Sequence, residues 1–358
     1  MRHQFFSIQY LRGFAAVLVL ASHALLYPLV EHNLGFGRLG WLGVILFFVI
    51  SGFIMVVVTG EGQFSAAGFL RRRFIRVVPM YWIATLLAAA LALMVPQIFK
   101  TTVYDSTQLL LSLLFIPFHN PVSGGIHPLY KLGWTLNYEV FFYICFALLA
   151  FLDARARVVW LSIAFGTLAV LGLILQPEAA IPQFYTSYMP LAFCAGAWLG
   201  LATLRGQVGR LSKGAIYALM LLGMGAMMQG LAWGVEVVED GIAFIGLLFF
   251  ASALVLLLVR LEPRLPRIAL LERIGDASYS IYLVHIYEVA ILSGLAFKWL
   301  DPSDLFADYL VAAVSVAGGT TAGWMLYVWV ELPLLRFVNS RFAKPRQATA
   351  EPASSATA

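Results

Sequence analysis

The sequence predicts an all-α protein, a polytopic bundle of transmembrane helices with about ten spans, and three observations support this. The chain has 358 residues, of which 61% are hydrophobic and 11% are charged, against roughly 25% charged residues in a soluble domain. Apolar stretches long enough to cross a hydrocarbon core about 30 Å thick recur along it. The basic residues lie in alternate connections between these stretches, as they do on the cytoplasmic side of membrane proteins.

Ten apolar stretches are predicted to span the bilayer. With the first residues placed in the cytoplasm, every Lys and Arg falls on the cytoplasmic side except Arg38, Lys100, Lys131 and Lys298. This bias predicts that both the N- and the C-terminus are cytoplasmic. The net charge of +5 therefore reports topology and does not indicate binding to nucleic acid. The predicted spans are approximately 12–30, 39–59, 78–97, 133–152, 157–175, 185–204, 214–233, 241–259, 278–298 and 308–330.

One apolar run, residues 107–118, is only about a dozen residues long, a length more typical of an interfacial or re-entrant segment than of a span. If it crossed, the basic connections after it would face outward. Residues 98–132 are therefore predicted to form one long external segment that docks the acceptor. Residues 1–342 are predicted to form one membrane domain, and residues 343–358, rich in Ala, Ser, Thr and Pro, a disordered cytoplasmic tail.

Arg12 and His23 are the two ionisable side chains of the first span. Their separation of eleven residues places them on one face of a helix, roughly 16 Å apart along its axis. An ionisable residue at membrane depth costs about 2.5 to 3.5 kcal/mol, so its presence usually indicates function. We interpret His23 as a candidate general base. The alternative is that it only forms a hydrogen bond to a neighbouring helix.

Four arginines precede the third span, at positions 71, 72, 73 and 76. Arg73 and Arg76 share a helix face, and two guanidinium groups on one face suit the bidentate binding of phosphate. They are predicted to bind a phosphate-rich cofactor from the cytoplasm. Arg72 is a further candidate for that site, although it and Arg71 could equally be membrane anchors.

Glu139 is predicted to lie roughly 9 Å below the outer edge of the fourth span, at a depth similar to that of His23. The two could then be neighbours, with the carboxylate orienting the imidazole. The alternative is a protonated Glu139 bonded to a backbone carbonyl. His285 and Glu288 share a face of the ninth span and either line a cavity, where His285 would help to hold the cofactor, or bond to another helix. Cys145 and Cys194 lie in apolar spans and suggest neither a disulfide nor a metal site.

Five motifs follow one another along the chain: YLRGFAAVLVLASH, GVILFFVISGFIM, RRRFIRVVPMYW, GWTLNYEVFFY and GDASYSIYLVH. They resemble those of integral-membrane acyltransferases of the acyltransferase-3 family, in particular its exopolysaccharide O-acetyltransferases. The resemblance implies transfer of an acetyl group from cytoplasmic acetyl-CoA to a hydroxyl of an exopolysaccharide, another cell-envelope glycan or its lipid-linked oligosaccharide precursor, in the bacterial inner membrane. It also implies that Arg12 and His23 are catalytic and that Arg73 and Arg76 lie near the donor.

Three further questions stay open at the level of sequence. A transporter or flippase for a glycan precursor or small anion would use intramembrane His and Glu residues equally well. A non-catalytic scaffold for polysaccharide export would tolerate changes at His23. Within an acyltransferase, His23 either acts as a base on the acceptor hydroxyl or carries the acyl group covalently.

Overall fold

A computed structural model describes residues 5–26, 39–95, 102–232, 241–296, 298–300 and 305–342. These residues form helices and no strand, apart from an isolated bridge between His119 and Ile126, so the all-α prediction is confirmed. The tail predicted for residues 343–358 lies outside the described residues. The helices are α1 Phe6–Leu26, α2 Gly40–Thr59, α3 Ala66–Met94, α4 Ser106–Leu113, α5 Trp134–Leu148, α6 Ala154–Leu175, α7 Ala180–Tyr185, α8 Leu191–Leu204, α9 Lys213–Ala232, α10 Gly241–Leu261, α11 Ala269–Asp276, α12 Ser278–Ala296, α13 Leu305–Leu326 and α14 Leu332–Phe342.

In the described part of the chain, 7 helical stretches are long and apolar enough to cross a membrane. They contain α1, α2, α3, α6, α10, α12 and the continuous run from α13 to α14. The other three predicted spans correspond to α5 with 15 residues, α8 with 14 residues, and α9. Helix length therefore supports a polytopic bundle, while the count of ten spans stays a prediction.

The long segment before α5 enters the bundle instead of staying on its surface. Helix α4 has 8 residues, about 12 Å of helix, which is too short to cross. It packs on α3, where the Tyr81 hydroxyl donates to the carbonyl of Ser112 at 3.0 Å. Further along, the Tyr130 hydroxyl donates to the carbonyl of Leu283 on α12 at 2.6 Å. As a result, α5 begins beside the middle of α3.

Helices α1, α3 and α12 run in the same direction, and close contacts fix their relative heights. Tyr279 and Tyr287 of α12 donate to the carbonyls of Val77 and Ala84 of α3 at 2.7 and 2.9 Å. At the start of α1, a Cβ on Gly275 would lie 2.2 Å from the carbonyl oxygen of Gln9, so this approach requires glycine. These contacts therefore place the first turns of α1 and α12 at the same height along the bundle as the early part of α3.

Candidate active site

Charged residues from distant parts of the sequence meet in one cavity of about 330 Å³ between α1, α2, α3, α5 and α12. Arg12, Arg73, Arg76 and Glu139 all line it. Three positive charges and one negative charge leave an excess of positive charge in its wall. Such a cavity favours an anionic ligand, and phosphate groups suit the planar guanidinium forks.

Arg12 is held in the cavity by a short chain of hydrogen bonds. Its Nη1 donates to Gln9 Oε1 at 2.9 Å, and Gln9 Nε2 donates to Asp276 Oδ1 at 3.1 Å. Burial raises the pKa of Asp276 above its usual range, while the positive charges of Arg12 and Arg76 oppose that rise. Glu331, fully buried at the end of the last span, also attracts Arg12 and Arg76 and accepts a hydrogen bond from Ser280 Oγ at 2.6 Å.

Arg73 and Arg76 project from one face of α3 into the cavity, as their spacing predicts. The Nε of Arg73 is buried and has no hydrogen-bond partner among the described residues, which leaves a donor available to a ligand. Arg71 and Arg72 are exposed and do not line the cavity. Nothing in this geometry places Arg72 at the cofactor, and its assignment stays a prediction.

Glu139 faces the arginines and does not pair with His23. Its Oε1 accepts hydrogen bonds from Ser51 Oγ at 3.2 Å and from the Tyr143 hydroxyl. The expected contact with His23 assumed that α5 starts at the membrane surface. Because α5 starts in the middle of the bundle instead, counting residues from its first turn brings Glu139 to the level of the arginine cavity.

His23 is paired with His285 on the neighbouring helix α12. The distance from His23 Nδ1 to His285 Nε2 is 3.4 Å, and the ring centroids are 5.1 Å apart. Each Nδ1 also lies near a carbonyl oxygen of its own helix, 2.9 Å from Val19 for His23 and 3.2 Å from Ile281 for His285. His285 is completely buried and does not line the arginine cavity. This position does not support a direct contact of His285 with a cofactor in the cavity.

Several residues at the cavity were not singled out by the sequence. Ser51, Tyr143 and Tyr282 line it, and Ser51 and Tyr143 are the partners of Glu139. All three lie within the motifs GVILFFVISGFIM, GWTLNYEVFFY and GDASYSIYLVH. Their position in a motif is the sequence feature that could have identified them as site residues. In the part of the chain that the structure describes, no group of three or more His, Cys, Asp or Glu residues could hold a metal ion.

A bundle of membrane-length helices encloses a cavity lined by three arginines, and the pair of His23 and His285 joins α1 to α12. These features define a membrane protein with a positively charged internal cavity. Comparison with known proteins identifies the class. The chain belongs to the acyltransferase-3 family, whose model, described as an acyltransferase domain, matches residues 5–329. The protein is therefore an acyltransferase, and its resemblance to this family is confirmed.

Two relatives are similar over most of their length. The exopolysaccharide production protein ExoZ of Rhizobium meliloti (strain 1021) is 34% identical over 309 residues, which cover 85% of this chain and 92% of that protein. The acyltransferase MdmB of Streptomyces mycarofaciens is 26% identical over 377 residues, covering 94% of this chain and 92% of that protein. No solved structure gives a significant match.

Proposed function

We propose that the protein is an O-acetyltransferase that moves an acetyl group from cytoplasmic acetyl-CoA to a hydroxyl of an exopolysaccharide, another cell-envelope glycan or its lipid-linked precursor. The observation that carries this proposal is the convergence of Arg12, Arg73 and Arg76 in one cavity. The similarity to a protein named for exopolysaccharide production supports the choice of acceptor class.

The cavity suits one part of the donor. Its volume of about 330 Å³ is at the lower end of the range for ligand pockets, roughly 300 to 1,000 Å³. It would hold the arm and the nearest phosphates of coenzyme A, with the nucleotide remaining at the mouth. Arg73 and Arg76 bind the phosphates through their forks, and Arg12 completes the positive wall. The acetyl thioester then points along α1 toward His23.

His23 performs the proton transfer in this scheme. Its Nε2 takes the proton of the acceptor hydroxyl as the oxygen attacks the thioester carbonyl. The C–S bond breaks, and the coenzyme A thiolate leaves and recovers the proton. In a covalent variant the same Nε2 attacks the thioester carbonyl, the C–S bond breaks and the thiolate leaves, which gives an acyl-imidazole. The acceptor hydroxyl then attacks this acyl group, the bond to Nε2 breaks, and the hydroxyl proton passes to the thiolate. Both routes require an unprotonated Nε2.

The proposed topology has ten spans, with both termini in the cytoplasm and the cavity opening there, in the inner membrane of a bacterium. The distribution of basic residues supports it. The segment 98–132 would then face outward and dock the glycan. A reporter fused after Lys344 should be cytoplasmic and one inserted near Ser123 external. An external C-terminus would contradict this topology and would indicate that residues 107–118 cross the membrane.

The test of the function uses purified protein in lipid nanodiscs with labelled acetyl-CoA and a glycan acceptor. We expect acceptor-dependent release of coenzyme A and a labelled glycan. His23→Ala should lower the rate by roughly 10² to 10⁴, the usual contribution of a general base, while donor binding persists. Tyr217→Ala is the control, since Tyr217 is an exposed ring on α9 that does not line the cavity and lies outside the segment proposed to dock the glycan. Near-normal transfer by a folded His23→Ala protein would end the proposal.

A further inference from the structure

His285 is buried beside His23, yet proton transfer by His23 does not by itself explain why an imidazole stands there. A fully buried polar ring needs hydrogen-bond partners. His285 has two, the carbonyl of Ile281 at 3.2 Å and Nδ1 of His23 at 3.4 Å. The second contact joins α12 to α1 at the proposed base, 262 residues away in the sequence.

The positions of the two carbonyl groups determine where the protons lie on both rings. A carbonyl oxygen can only accept, so the ring nitrogen that faces it must carry the hydrogen. Nδ1 of His23 faces the carbonyl of Val19 at 2.9 Å, and Nδ1 of His285 faces that of Ile281. In the neutral rings, both Nδ1 atoms are therefore protonated and both Nε2 atoms carry a lone pair. The lone pair of His285 points at the N–H of His23.

We propose that His285 is a positioning residue for His23, an inference that rests on the proposed role of His23 as the base. Its Nε2 accepts a share of the Nδ1–H of His23, beside the carbonyl of Val19, and so reinforces the tautomer whose Nε2 is unprotonated. When His23 takes the proton of the acceptor, the Nδ1–H becomes a stronger donor, and the hydrogen bond to His285 stabilises the imidazolium. A distance of 3.4 Å before reaction fits a bond that tightens as charge develops.

A neutral imidazole suits this position better than a carboxylate would. Burying an unpaired charge among the helices costs several kcal/mol, whereas His285 is held by a backbone carbonyl and needs no counter-ion. The acceptor that orients the base in this protein is therefore a second histidine, and Glu139 is left to face the arginines.

Amide side chains test the role of one ring nitrogen. A glutamine at position 285 can bring its carbonyl oxygen close to the place of Nε2, and an asparagine reaches only the place of Nδ1. We expect His285→Gln to keep most of the transfer activity. His285→Asn and His285→Phe should lower kcat between tenfold and a hundredfold, as for partners that orient metal-bound histidines, with an unchanged KM for the donor. Equal losses in the Gln and Asn variants, or no loss in any, would overturn the proposal.

The tautomer of His23 is a second readout that does not depend on activity. In nanodiscs with ¹⁵N-labelled histidine, a His23→Gln variant assigns the signals of His23. Wild-type His23 should show a protonated Nδ1 and an unprotonated Nε2, and His285→Phe should keep this tautomer, which the carbonyl of Val19 also favours, while the Nδ1–H signal shifts toward that of a weaker hydrogen bond. A protonated Nε2 in the wild-type protein would refute the positioning role even if no variant folds. Loss of the proposed function would instead appear as an active His23→Ala enzyme.

Discussion

Phe47 of α2 and Tyr282 of α12 pack edge to face, with ring centroids 5.9 Å apart and planes at 74°. Both rings line the arginine cavity, and the ring of Tyr282 also lies 5.8 Å from that of His285. Tyr282 therefore contacts both the wall of the arginine cavity and the histidine pair. Tyr282 is held by Thr135 Oγ1 at 2.8 Å, so the half-buried Phe47 has the greater freedom to move.

We expect the size of the side chain at position 47 to control acyl transfer without controlling donor binding. Phe47→Trp enlarges the ring in the path from the cavity to His23, and should lower kcat about tenfold, equivalent to roughly 1.4 kcal/mol in the barrier. Phe47→Leu, a smaller apolar residue, is the matched control and should retain activity. The measurements are single-turnover acetyl transfer and donor affinity. A Phe47→Trp protein with normal turnover would mean that the acyl group takes another path.

The arginine cavity makes a separate prediction for donor binding. Lysine keeps the positive charge but loses the planar fork. Arg73→Lys and Arg76→Lys should each weaken acetyl-CoA binding by about 1.5 to 3 kcal/mol, the range for a hydrogen bond to a charged group. Arg71→Lys is the control, because Arg71 is exposed and outside the cavity wall. Calorimetry in nanodiscs would measure this, and affinities equal to wild type would assign Arg73 and Arg76 to membrane anchoring.

Features set by local helix geometry could be predicted from the sequence. Arg73 and Arg76 share a face of α3 because they are three residues apart, and both do enter the cavity. The prediction that residues 107–118 do not span agrees with the length of α4. The rise and the rotation per residue of an α-helix are sufficient to predict both features.

Features set by tertiary packing could not be predicted. The depth of Glu139 depends on where α5 begins, and this follows from the insertion of residues 128–133 between α3 and α12. A Cβ on Gly133 would lie 2.5 Å from the ring of Tyr81, so a small residue permits that insertion. Likewise, the partner of His23 depends on the register of α1 against α12. No local sequence pattern indicates where α5 begins or which residue contacts His23.

Packing between α2 and α8 should depend on glycine. A Cβ on Gly196 would lie 1.9 Å from the carbonyl oxygen of Val49, a backbone atom that cannot move aside without shifting α2. Gly196→Ala should therefore lower the free energy of unfolding by about 1 to 3 kcal/mol, the usual cost of overpacking. Gly166→Ala on α6 is the control, since a Cβ there meets no atom within 4 Å. Equal stability of both variants in a reversible unfolding assay would contradict the close approach of α2 and α8.

The segment before α5 contains a buried histidine whose charge state should govern its stability. His127 Nδ1 donates to the carbonyl of Pro128 at 3.0 Å, and its Nε2 accepts from Ser123 Oγ at 2.6 Å. Burial lowers the pKa of His127 below its usual value, and the nearby charge of Lys131 lowers it further, while the bond to Pro128 opposes both. At neutral pH the ring is therefore uncharged, and both of its bonds are satisfied.

Acid should loosen this segment. Since the pKa of His127 is lower in the folded segment than in the unfolded chain, where it is about 6.5, the unfolded state binds the extra proton first. The stability of the segment is then full above about pH 6.5 and falls below it by at most about 1.4 kcal/mol per pH unit. Hydrogen exchange at pH 7.5 and 5.5, corrected for intrinsic rates, should show loss of protection around residues 120–129.

His127→Asn keeps a donor for Pro128 but cannot titrate, so its exchange should not respond to pH, whereas His119→Asn should behave as wild type. The same acid response in His127→Asn would show that another group controls the segment.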